Sequence, residues 1–143
     1  MTLRVIRRIF GWTSTILASI LVGLLWLGSV YGGRIEGQFF PVVSGTHITR
    51  AQVTDQFSTR IWGRAMKERK CSFDRIEWYI GTPDAYAFVD LHIEEASKAR
   101  VGGGFGFGPW SIKLTPEEIR TRSFATVFHR CHPFWVTETR FYP

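Results

Sequence analysis

The chain has 143 residues, room for one small domain plus an anchor and too few for two domains. Its formal net charge is +6 and aromatic residues make up 15 % of it. The basic residues beyond the first eight positions are interleaved with acids and join no recognisable binding motif, so no nucleic-acid partner is expected.

The charge is placed asymmetrically. Arg4, Arg7 and Arg8 precede a long apolar run and no acidic residue does, which leaves about +3 on the remainder. Ile9 to Tyr31 carries no charged side chain. As a helix rising ~1.5 Å per residue the run measures about 34 Å, enough to cross ~30 Å of hydrocarbon. Trp12 lies near one end, Trp26 and Tyr31 near the other, at depths where amphipathic rings favour the interface. The run is much longer than the ~7–15 residues of a signal-peptide core, so a retained anchor is expected. The three arginines keep the N-terminus cytoplasmic. The expected location is therefore the cell membrane, a bacterial inner membrane, with a periplasmic or extracellular C-terminal domain. The organisation read from the sequence is a basic tail (1–8), a transmembrane helix (9–31), a hinge or linker at Gly32-Gly33 (32–45) and an exported domain (46–143). Gly11, Thr15, Ser19 and Gly23 recur four apart on one helix face. Small residues let a second backbone approach, so this row is the candidate contact with a partner helix or another copy, and lipid is the partner elsewhere.

Beyond the hinge the pattern is one of strands and turns. Candidate strands are 48–53, 57–66, 73–80, 86–93, 110–114, 123–132 and, after Pro133, 134–142. In the fourth, Ala87, Val89, Leu91 and Ile93 alternate with Tyr86, Phe88, Asp90 and His92, which puts the aliphatic set on one face. Thr115-Pro116-Glu117-Glu118 reads as a helix start, with Thr115 as cap, Pro116 in the first turn and Glu118 completing a capping box. The expected fold is an N-terminal transmembrane α-helix followed by a mainly-β domain: an antiparallel sandwich or barrel of about six or seven strands with one short helix. The order Cys71, Trp78, Cys131 invites comparison with immunoglobulin-like sandwiches. Trp78 follows Cys71 too closely for that family, so only a sandwich of the general kind is inferred.

Cys71 and Cys131 are the only cysteines. An even count in an oxidising compartment favours a disulfide between them. The alternative use is a metal site built on His129, Cys131 and His132, with His92 or Cys71 completing it. The stretch Gly102 to Gly108 reads as a mobile glycine-rich loop that presents Phe105, Phe107 and Trp110 to a protein partner. It lacks the residues of a phosphate loop, no nucleophile constellation is recognisable, and no catalytic residue or cofactor is expected. The expected function is a membrane-anchored structural or assembly subunit whose exported domain makes protein contacts in an envelope complex. Two alternatives are a membrane-permeabilising protein, whose layout resembles that of some phage holins, and a metal-handling enzyme or chaperone using the histidines.

Overall fold

The computed structural model describes residues 3–94 and 102–143, with side-chain surroundings in the first helix given from Trp12 onward. That helix, α1, runs unbroken over Leu3–Phe39. From Trp12 it is long and apolar enough to cross a membrane, and its side chains up to Tyr31 are nearly all exposed.

The expected hinge at 32–45 is not present. The helix continues through Gly32 and Gly33, and only residues 40–42 separate it from the first strand. These glycines are tolerated in the helix because another element needs the space their side chains would occupy. A Cβ on Gly32 would meet the Trp135 ring at 2.7 Å, and Cβ atoms on Gly33 and Gly37 would overlap the carbonyl oxygens of Val136 and Glu138. The short connection is equally fixed. Val42 is fully buried, its amide donates to Thr139 Oγ1 at 3.3 Å and its carbonyl accepts from Glu68 N at 2.9 Å.

The remainder is mainly β, with eight strands and one short helix among the described residues. One sheet holds β1 (Val43–Asp55), β2 (Ser58–Lys67), β6 (Gly103–Ile112) and β5 (Leu91–Ile93), in that spatial order. The other holds β4 (Ala85–Val89), β3 (Ser72–Thr82), β7 (Ser123–Arg130) and β8 (Thr137–Phe141). Every paired neighbour is antiparallel. The stretch read as one strand over 86–93 is two. It divides at Asp90, β4 pairing with β3 and β5 with β6, so the chain passes from one sheet to the other there. Val89 and Leu91 stay near the core on either side of this corner.

The core lies between the sheets. Trp78, Ile61 and Ile112 are fully buried and Ile119 nearly so. The Trp78 indole donates to Ser123 Oγ at 3.0 Å, and that hydroxyl donates to Ile119 O at 2.7 Å, which satisfies both polar groups inside the core. The short helix α2 (Pro116–Arg122) carries the expected start: Thr115 caps it, and Glu118 closes the capping box.

The glycine–phenylalanine stretch also differs from the expectation. It is strand β6, paired along its length with β2, and not a mobile loop. Phe107 is 5 % exposed and lies over Gly63 of β2, where any Cβ would collide with its ring. Trp110 stacks on Phe107 with ring centroids 4.4 Å apart, and Phe105 packs beside the core. A strand that alternates glycine with phenylalanine places the rings on one face and almost nothing on the other.

Candidate functional site at the helix–domain junction

The densest polar cluster gathers on Glu36 of α1. One carboxylate oxygen accepts from Arg69 Nη2 at 2.7 Å. The other lies 3.0 Å from His132 Nε2 and accepts from Trp135 Nε1 and Thr137 Oγ1, each at 2.8 Å. Arg69 also donates from Nη1 to the Phe40 carbonyl at 3.0 Å, which satisfies an unpaired oxygen at the helix end. Beside this, Arg34 pairs with Glu138 at 3.1 Å on the surface.

Burial pushes the Glu36 carboxyl up, but hydrogen bonds from Thr137, Arg69, Trp135 and His132 outweigh it. The group falls from 4.5 to about 2. Glu36 is thus an anion held by four side chains of the β domain. With the glycine contacts of α1 against β8, it fastens helix and domain together. The carbonyls of Val136 and Glu138 lie two residues apart on one edge of β8, and α1 covers that edge.

The proposed metal ligands do not converge. Cys131 lies at disulfide distance from Cys71, with Cα atoms 4.5 Å apart, so neither sulfur is available as a thiolate. His132 turns to Glu36. His129 is 3 % exposed, packs edge-on to Phe73 with centroids 5.9 Å apart, and its Nδ1 has no hydrogen-bond partner. Burial, with a smaller contribution from the Lys67 charge, lowers its pKa to about 4, so the buried ring is neutral near pH 7. Among the described residues no group of three or more His, Cys, Asp or Glu side chains is placed to hold a metal ion.

No protein-family model matches the chain, and comparison with curated proteins and with solved structures gives no match.

Three of the residues singled out for helix packing lie in the described part of α1. Thr15, Ser19 and Gly23 lie along the apolar part of α1, with Ser19 Oγ donating to Thr15 O at 2.9 Å and open space beside Gly23. The packing surroundings of Gly11 lie outside the described residues. Of the three aromatics assigned to a partner, Phe107 is core, and Phe105 and Trp110 are half-buried against it.

An exposed aromatic cluster lies elsewhere, on the outer face of the β4-β3-β7-β8 sheet. Tyr79 stacks on Phe124 at 5.2 Å, Tyr86 meets both edge-on, and Phe88 and Tyr142 flank them. Phe124 is covered, yet Tyr86, Phe88 and Tyr142 remain more than half exposed. The alternation of Tyr86 and Phe88 with an aliphatic set already carried that signal.

Proposed function

We propose that the chain is a single-pass membrane-anchored structural subunit. In this reading α1 spans the bilayer with its basic end in the cytoplasm. The β domain stands in the periplasm or outside the cell and contacts protein partners in an envelope complex. The observation that carries it is the rigid mount. The membrane-length helix enters the domain without a hinge and is locked there by Glu36 and the glycine face. A tethered enzyme gains from a flexible linker that lets it search for substrate. A subunit that must offer a surface at one height and one angle gains from a fixed mount. The surface best suited to that role is the aromatic sheet face with Tyr86, Phe88 and Tyr142, since large exposed apolar patches mark interaction sites.

The test is site-specific photocrosslinking in intact cells. A photoreactive residue at Phe88 or Tyr142 should give a discrete adduct, and one at exposed Lys113 should not. Externally added protease should reach the β domain only once the cytoplasmic membrane is accessible. A domain released by alkaline washing, or the absence of adducts at both aromatic positions, would reject the proposal.

A further inference from the structure

We infer that the segment His132-Pro133-Phe134-Trp135 is a second membrane contact, seated in the outer interface of the bilayer beside the helix. The inference rests on the reading that α1 spans a membrane and adds a lipid-facing part to the domain itself. Strand β8 and the end of α1 run in the same direction. Trp135 lies against Gly32, Val136 against Gly33, Glu138 against Gly37 and Thr139 against Val42. The start of β8 is therefore its membrane-proximal end. Arg34, two residues beyond Gly32, is the first charged residue after the apolar run, so the Trp135 ring lies within about one helical turn, ~5.4 Å, of the apolar boundary. Phe134 comes just before it, with ring centroids 6.2 Å apart.

Phe134 is 76 % exposed, as open as Leu25 in the middle of the apolar run at 74 %. A phenyl ring so exposed gains nothing from water, and here it is also held in place. His132 and Trp135, on either side of it, both grip Glu36, and the Phe134 amide donates to His132 Nδ1 at 3.3 Å. Those contacts fix the backbone on both sides of Phe134. An indole with its N–H bonded inward and a phenyl beside it, at the level where hydrocarbon meets headgroups, matches the chemistry of an interfacial aromatic anchor. Lys70 and Arg130, exposed residues directly preceding the two cysteines at this end of the domain, suit anionic headgroups.

The experiment uses the full chain, with the native cysteine pair oxidised, in phosphatidylcholine–phosphatidylglycerol vesicles. One nitroxide is placed in turn on L21C, F134C and D84C. Leu21 reports the anchor. Asp84 lies beyond the far end of β3, whose length from Ser72 to Thr82 is about 30 Å. Circular dichroism confirms that each labelled protein is folded. The expected result is an oxygen-to-nickel accessibility ratio at position 134 that lies between those at 21 and 84 and is several-fold above that at 84. A ratio at 134 equal to that at 84, with 21 reading as lipid, overturns this inference and leaves the anchor standing. Water-like ratios at both 21 and 134 overturn the anchor and this inference together.

Discussion

At the scale of single residues, half-buried Glu36 and buried His129 contribute to the response to acid. Glu36 is held well below its ordinary pKa by its four donors, so its contribution is complete above about pH 4.5 and is lost as pH falls toward 2. His129 is buried neutral, so its contribution is complete above about pH 6.5 and is lost as pH falls toward 4. Both act in the same direction, in successive windows. We expect the melting temperature to drop in two stages on acidification. His129→Leu should flatten the upper stage and Glu36→Gln the lower one; a profile unmoved by either change would remove both groups from the account. Neither role was legible in the sequence. Glu36 is an ordinary acid near a helix end, and its partners His132, Trp135 and Thr137 are 96, 99 and 101 residues away along the chain. Only the fold supplies that proximity.

At the scale of elements, glycine hides two features of the fold from the sequence. In Gly32-Gly33 it looked like a hinge, because isolated glycine weakens a helix. Here its small size serves a contact with β8. Gly33→Leu should force the helix off the strand, at a cost of about 1–3 kcal/mol for overpacking. Amide exchange over residues 32–39 should rise accordingly, and unchanged protection would mean that the contact is dispensable. In 102–108 glycine looked like a loop, although the phenylalanines already alternated with period two. Phe107→Ala should destabilise the domain by roughly 3–5 kcal/mol, as a core deletion does. A melting temperature close to wild type would restore the loop reading. By contrast, the capped helix after Thr115 and the strands over 57–66, 73–80 and 123–132 were legible, because local cap chemistry and apolar patterning decide them before any tertiary contact forms. The crossing at Asp90 was not, since one alternating pattern serves a strand whether it stays in one sheet or bends into another.

At the scale of the whole molecule, the fold is an apolar helix locked to a two-sheet domain whose Cys71–Cys131 pair spans 60 residues. Closing a loop of that size restricts the unfolded chain. Cys131→Ser should lower stability by about 2–5 kcal/mol, measured by denaturant unfolding without reductant, and an unshifted midpoint would show that the pair is not bonded in solution. The missing hinge has a mechanical consequence. In a bilayer, a helix that continues stiffly into the domain acts as a lever arm. Membrane helices lean by ~20° on average and lean further where the hydrocarbon is thin. The β3 strand reaches about 30 Å, so a 20° lean carries the far end of the domain sideways by roughly 10 Å. Neutron reflectometry on supported bilayers of short and long lipids should show the domain standing lower in the thinner one; equal heights would mean that the junction bends. A swinging lever would turn bilayer thickness into the position of the outer aromatic face, so that the lipid around the anchor decides which neighbours the domain can touch.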